Sequence, residues 1–566
     1  MRSSRLLLAL CGLPLAAAGA QATVHVSPLD PVYRSIDRLV ANGLVDELIV
    51  GQRPYTRSTI ARMLVTASDR LARRREAADG SSIAATHAAS RDRRLTSLEE
   101  LVAALRADYA DAVAKVEDTT LARTKWDVAP LRRIAGDLTT SSGSARNVPE
   151  SNGNVGSIDA SLTPLLENRQ GRRLVEGTNL SVEADQSLEG PHLAIGISPR
   201  FASARDARRA TALTSGGLQT VEVRLLLRNV AVDVGRQYVS WGQGRDVGLL
   251  GSNNSPPLDL VKISNERLFA LPWLLRRFGP TQLSLFYADL GKEQNYPGAY
   301  FVGYKVSIAP SARLELGATV YSKSGGHGAP RASFSSRVVD IFPFLQAAFY
   351  NNVIGTRNKS EFSDRYAGID GRVRFPSARG LELYAEVLLN DFDVRRLESV
   401  LWEDAGHVVG LTMSRLGRAD DVAVTVEMHH TGIRYYEHTQ FTTGQTLRRT
   451  LIGDPLGPNA SGSYAFVDWQ ASGRRSVTLA MAAERYSDDQ YLGVALPNGS
   501  LRLERVESRP KEMRYRAILT WSASSPTPGL SILSQLGYER TQHFNFNPSL
   551  DRNGLLARLG VEYRPR

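Results

Sequence analysis

The chain has 566 residues, 42% of them hydrophobic and 22% charged, with 69 basic against 58 acidic side chains and a formal net charge of +11. Its only cysteine is Cys11, so once the leader is removed no disulfide framework, thiolate metal site or cysteine nucleophile remains. The arginines are interleaved with acids rather than clustered, which argues against a nucleic-acid partner.

Residues 1–22 read as a secretory signal peptide. Arg2 and Arg5 form the basic start, Leu6 to Ala18 the apolar core, and Ala20-Gln21-Ala22 a small-x-small motif that places cleavage after Ala22. A lipoprotein would need a small residue before Cys11, and Leu10 stands there instead. Removing the two leader arginines leaves +9, and 61 of the 69 basic residues are Arg. Either a GC-rich genome favours Arg codons, or Arg serves bidentate contacts to carboxylates in a lumen or on an acidic polymer. No later stretch approaches the roughly 18 consecutive apolar residues of a transmembrane helix. A closed barrel is then the remaining way to span lipid with every backbone group paired.

Residues 23–127 carry helical periodicity and predict a periplasmic helical bundle. Pro31, Tyr33, Ile36, Leu39 and Val40 keep helical spacing up to Asn42-Gly43, and Thr56 or Ser58 is placed to cap a second helix through Leu64. Residues 72–94, rich in Arg, Ala and Ser, are expected to loop out. A last helix is expected from about Ser97, as its N-cap, to Val116, with a stripe of Leu98, Leu101, Val102, Leu105 and Tyr109. Residues 128–157 are expected to be a linker, and 158–566 the barrel.

Strands then dominate. In the last one Leu555, Ala557, Leu559, Val561 and Tyr563 fall on one face, with Leu556, Arg558, Gly560 and Glu562 on the other. The same alternation sets Val223, Leu225 and Leu227 against Glu222 and Arg224, Ile369, Val373 and Phe375 against Asp370, Arg372 and Arg374, and Val426 and Met428 against Glu427 and His429. A soluble sandwich also alternates, but strands of about 9–11 residues with a mixed-charge polar face suit an outer-membrane barrel better. Short gaps such as Ser377 to Gly380 suit periplasmic turns, and long ones such as Glu437 to Tyr464 suit extracellular loops. The length accommodates about 16–18 strands. The lumen-facing charges either bind an acidic polymer or ions, or pair with one another to fill the barrel, as buried charges must find partners.

The stretch Trp241 to Pro257 holds Gly242, Gly244, Gly248, Gly251 and Pro256-Pro257, which permit turns and break a ladder. It predicts a loop folded into the barrel mouth or lumen. There Trp241 offers an aromatic face and Arg245, Asp246, Asn253 and Asn254 offer hydrogen-bonding groups to a polysaccharide; a purely structural plug is the alternative. The glycine spacing is not a dinucleotide fingerprint. Glu427, His429, His430 and His438 look metal-like, but neighbours on a strand point to opposite faces, so no metal or cofactor is assigned. No spacing singles out a catalytic triad. Tyr435, Tyr436 and Trp402 read as interface-belt aromatics.

The run Gly235-Arg236-Gln237-Tyr238-Val239-Ser240-Trp241-Gly242-Gln243-Gly244, continued through Leu249-Leu250-Gly251-Ser252-Asn253-Asn254-Ser255-Pro256-Pro257, resembles the Wzi family of capsule assembly proteins. So do Phe278-Gly279-Pro280 with the strand Leu283 to Leu290, and the lead-in from Tyr33 to Arg53-Pro54-Tyr55. One departure is that Tyr563 is followed by Arg564-Pro565-Arg566, whereas outer-membrane strands commonly finish on an aromatic residue. The resemblance implies a mainly β protein: a large antiparallel transmembrane barrel of about eighteen strands with a helical bundle at its periplasmic end and a blocked lumen. It implies a non-enzymatic, lectin-like role, anchoring acidic capsular or exported polysaccharide at the surface of a Gram-negative cell. Further expected partners are outer-membrane lipid, lipopolysaccharide and the barrel assembly machinery. The charged inner face taken alone suggests a porin or transport channel instead, and an outer-membrane hydrolase lacks any motif.

Overall fold

The computed structural model describes residues 21–46, 48–79, 85–142, 146–147, 161–162, 165, 170–172, 174–206, 212–246, 248–330, 363–390, 405–495, 497, 501–525 and 529–565. The leader up to residue 20 and Trp402 lie outside them. Eighteen antiparallel strands close a barrel, each paired with its neighbours in the chain. They are β1 Asp127–Ser141, β2 Gly177–Glu189, β3 Leu193–Asp206, β4 Ala212–Leu227, β5 Val230–Gln237 and β6 Leu258–Asn265. Next come β7 Pro280–Asp289, β8 Tyr300–Ser311, β9 Leu314–Ser324, β10 Ser363–Phe375, β11 Leu381–Asn390 and β12 Ala405–Leu416. The last six are β13 Val422–Thr431, β14 Ala460–Ser472, β15 Arg475–Tyr486, β16 Glu512–Ser524, β17 Leu530–Gln542 and β18 Arg552–Tyr563.

The closing strand corrects the expected boundaries. Residues 128–157 are not simply a linker, because β1 pairs on one side with β2 and on the other with β18, from Ile134↔Tyr563 to Ser141↔Leu556. Val128, Leu131, Ile134 and Leu138 face outward, while Arg133, Asp137 and Thr139 face in. A register shift between Ala129 and Arg133 breaks the period of two and hides the strand in the sequence.

Along most of the other strands the alternation holds, apart from local register shifts such as those at Ser198/Pro199 and Ile308/Ser311. On β18, Leu555, Leu559, Val561 and Tyr563 are exposed and Leu556 is buried; on β10, Ile369 is 68% exposed and Asp370 is buried. Among the described residues no helix is long and apolar enough to cross a membrane. An apolar outer wall with a charged interior reverses the arrangement of a soluble protein, and lipid is the solvent that suits it.

The two ends differ. At one, the connections are tight, as at 190–192, 228–229, 312–313, 376–380 and 473–474. Gly380 turns there at φ +66°. At the other end they are long, as at 290–299, 432–459 and 487–511. Among the described residues five helices sit at the tight-turn end: α1 Val32–Ala41, α2 Arg57–Asp79, α3 Ala85–Asp108, α4 Ala110–Glu117 and α5 Thr119–Thr124. Leu98, Leu101, Val102 and Leu105 bury their stripe in one core with Ile36, Leu39, Ile60 and Leu64. Ser97 does not cap a helix: it lies inside α3 and accepts a hydrogen bond from Arg38 (3.2 Å). The stretch expected to loop out is helical through Asp79 and again from Ala85, in keeping with the high helix propensity of Ala and Arg.

Ion pairs hold the bundle to the barrel, among them Arg94–Asp420 (2.9 Å), Arg62–Glu266 (3.0 Å) and Arg564–Asp30 (2.5 Å). Arg564 also bonds Glu562 (2.7 Å), so the basic tail that departs from the aromatic ending ties the last strand to the start of the chain. Ile369 is central in β10. Ile369→Arg should therefore lower bilayer folding stability by about 2–4 kcal/mol, the cost of a cation on the lipid face near the midplane. Urea titration in lipid vesicles checks this, with Ile369→Leu nearly neutral.

Candidate functional site

Between β5 and β6 the chain turns inward and fills part of the lumen. Ser240 and Trp241 pair with Arg53 and Gln52, so the segment before α2 and the inward loop form a small sheet inside the barrel. Trp241 N–H donates to Gly251 O (2.9 Å), and Gly242 N–H to Gly51 O (3.1 Å). Glycine is required at Gly248, where a Cβ would lie 2.0 Å from the Trp241 carbonyl oxygen, and at Gly242, whose φ is +142°.

Polar groups of the wall then clamp this plug. Gln243 is fully buried; its Nε2 donates to Glu315 (3.1 Å) and Asp370 (2.7 Å), and its Oε1 accepts from Arg372 (3.0 Å). Arg372 also reaches Gln243 O (2.7 Å), pairs with Glu382 (2.5 Å) and stacks over Tyr384 (4.2 Å). Glu386 accepts N–H bonds from Leu249 (3.2 Å) and Gln243 (3.3 Å). Glu315 accepts from Val50 (3.0 Å) and Gly51 (2.8 Å) and pairs with Arg374 (3.1 Å).

The five residues expected to bind polysaccharide are not brought together as one open site. Trp241 is 4% exposed, with its rings 5.2 Å from Phe286 and 5.7 Å from Tyr321, so its aromatic face is already occupied. Asn253 Nδ2 donates to Asp246 O (3.2 Å) and Asn254 Nδ2 to Leu451 O (2.9 Å), both within packed loops. Arg245 forms a fork to Asp468 (2.5 and 2.8 Å) over the Phe466 ring. Arg245 and Asp246, alone of the five, line an internal cavity. Tyr435 and Tyr436 are not belt aromatics: both are fully buried, and Tyr436 donates to Leu249 O on the plug. His429 points inward to Asp454 (2.5 Å) and Glu427 (3.3 Å).

The cavity has a volume of about 1260 Å³. Strands β8 to β11 carry long charged groups that meet the plug; β15 to β18 present Ser476, Ala480, Ala482, Ser522, Ser531 and Gly560 to the space, together with Arg516, Arg558 and Glu562. Small side chains interspersed with the charged ones leave part of the lumen open. Residues of α1 and α3, including Arg34 and Leu105, bound the cavity from the tight-turn end. Two further clusters, His25 with Glu222 and Asp233, and Asp111 with Asp127 and Glu189, have the spacing of metal sites. Each is already matched by cations, Arg224 and Lys262 in the first and Arg57 and Arg132 in the second.

The long-loop end holds a basic set that the strand pattern does not reveal. Arg448 and Arg449 are exposed at the tip of the hairpin Thr446–Leu447 and Thr450–Leu451, both with positive φ. Arg434 lies over the Tyr491 ring (5.0 Å), and Arg505 and Lys511 gather on Asp489. Of this set only Arg434, next to the Tyr435-Tyr436 pair, stood near a residue that the sequence picked out. In the same loop, His438 Nδ1 accepts backbone N–H bonds from Gln440 (3.1 Å) and Phe441 (3.3 Å). Burial, and then the Lys323 charge, lowers the His438 imidazole to about 4.

The family profile "Capsule assembly protein Wzi" matches residues 148–553. Among solved structures, Wzi of Escherichia coli, an outer-membrane protein described as a carbohydrate-binding β-barrel involved in group 1 capsule assembly, superposes with a TM-score of 0.59 at 14% identity. That similarity covers 96% of this chain and all of the other. OprD of Pseudomonas aeruginosa reaches 0.39 at 9% identity, over 77% of this chain and 94% of the other. OccAB2 of Acinetobacter baumannii reaches 0.42 at 8%, over 78% and 99%. No match is found among curated protein sequences.

Two outcomes follow from this geometry. Trp241→Ala opens a void among Phe286 and Tyr321 and should cost about 3–5 kcal/mol, as other large-to-small core changes do. Thermal unfolding measures this, and polysaccharide retention should persist while the barrel stays folded. For His438 the folded loop binds fewer protons than an opened one, in which histidine titrates near about 6.5. Its stabilisation is therefore present above pH ~6.5 and lost as pH falls toward about 4. Hydrogen exchange in residues 432–459 should accelerate across that window, and His438→Asn should remove the pH dependence.

Proposed function

Because the chain belongs to the Wzi family of capsule assembly proteins, we propose that it holds capsular or exported polysaccharide at the cell surface, as a non-enzymatic outer-membrane barrel. The observation that carries this reading beyond the family is the plug. A loop clamped by Glu315, Asp370, Arg372 and Glu386 turns much of the charged lumen inward on itself and leaves binding to the long-loop end.

That end faces outside the cell in this reading, and the helical bundle lies in the periplasm, since tight turns are periplasmic in barrels of this kind. Guanidinium groups on the long loops, Arg448 and Arg449 at the hairpin tip with Arg434 nearby in the chain, suit an acidic sugar polymer because they pair with carboxylates. Lipid and lipopolysaccharide contact the outer wall, and the last strand is the segment presented to the barrel assembly machinery.

Deleting the gene should release polymer into the medium with synthesis unchanged; polymer that stays cell-bound would overturn the proposal. In purified protein, the double variant Arg448→Ala/Arg449→Ala should weaken binding of an acidic capsular polymer by roughly two- to thirtyfold at low salt, as expected from ~0.2–1 kcal/mol per exposed ion pair. Equilibrium binding to immobilised polymer reads this out.

A further inference from the structure

The tight-turn end has one connection unlike the others. Between β6 and β7 the chain first extends the sheet, with Phe269 and Ala270 paired to Thr281 and Pro280. It then forms a 3₁₀ turn over Trp273–Phe278. Within it Trp273 is 94% exposed, Leu274 77%, Leu275 49% and Phe278 45%. Four large apolar groups in six residues, on no core, is an arrangement water disfavours.

The segment is held in place. Gly279 N–H donates to Arg276 O (3.1 Å), and a Cβ on Gly279 would lie 2.2 Å from the Ala309 carbonyl oxygen, so the turn sits against the end of β8. It continues the apolar outer wall of the adjoining strands, where Val261, Ile263 and Tyr287 are exposed. Arg276 and Arg277 are exposed in the same turn, and among the described residues neither guanidinium has an ion-pair partner.

We propose that Trp273–Phe278 is a wedge that inserts into the phospholipid leaflet bordering the tight-turn end, with Arg276 and Arg277 on the lipid phosphates. The apolar groups reach the acyl boundary, Trp273 sits at the head-group level, and the guanidinium groups meet anionic head groups. The wedge fixes the barrel's depth and tilt on this side. Only the naming of the leaflet as periplasmic rests on the orientation proposed above; the insertion itself does not depend on polysaccharide binding.

The test uses the full chain in a Cys11→Ser background, which leaves an introduced cysteine as the sole thiol. Leu274→Cys, Val261→Cys and Arg313→Cys proteins carry a nitroxide label and are reconstituted into vesicles of phosphatidylethanolamine and phosphatidylglycerol. Heat-modifiable gel migration confirms folding. The expected result is that the label at 274 collides with oxygen in strong preference to a nickel chelate, like the lipid-facing label at 261 and several-fold more than the turn label at 313. A label at 274 as open to nickel as that at 313 overturns the proposal. Protection at 274 in native envelopes but not in the lipid vesicles also overturns it, in favour of a protein partner. Raising the phosphatidylglycerol fraction should deepen the label, and Arg276→Gln/Arg277→Gln should abolish that response. A depth insensitive to both changes removes the phosphate contacts from the proposal.

Discussion

Glu315 is where the architecture converges. Fully buried on β9, it accepts N–H bonds from Val50 and Gly51 of the N-terminal lead-in and from Gln243 of the plug, and it pairs with Arg374 on β10. One carboxylate thus joins the start of the chain, the inward loop and the wall. Desolvating a carboxylate is costly, and a complete set of donors is needed to offset it, so removing any one partner is destabilising. The lead-in and the plug are therefore requirements of a barrel whose inner face carries such charges.

The same rule repeats around the lumen. Arg224 is held by Asp233 and Glu266, Arg133 by Glu183 and Asp185, and Arg516 by Glu484. Around the cavity, paired groups such as Arg133, Glu183 and Arg516 share the lining with serine, alanine and glycine. The basic tail is part of the same scheme, since Arg564 bridges Glu562 on the last strand to Asp30 before α1.

Much of this was legible in the sequence, because a period of two with lipid on one side and charge on the other is written residue by residue. Leu559 and Val561 against Arg558 is such a case. β1 escaped because the bulge near Arg133 breaks the period. The inward loop was readable from Gly242, Gly248 and Pro256-Pro257, but its role was not. Trp241 and Asn254 offer the same groups to a sugar as to Phe286 and Leu451, and only the folded position shows which partner is met. The basic set on the long loops was hidden because Arg434, Arg448, Arg449, Arg505 and Lys511 are scattered along the chain and share no period.

A plugged, cross-paired interior distinguishes a surface anchor from a transport channel, and planar-bilayer recording of the purified protein addresses that difference directly. With Glu315, Asp370 and Arg372 clamping the plug, the protein should insert without a stable open state. Long-lived, ohmic single-channel steps from the unmodified protein would contradict the account and restore the channel reading.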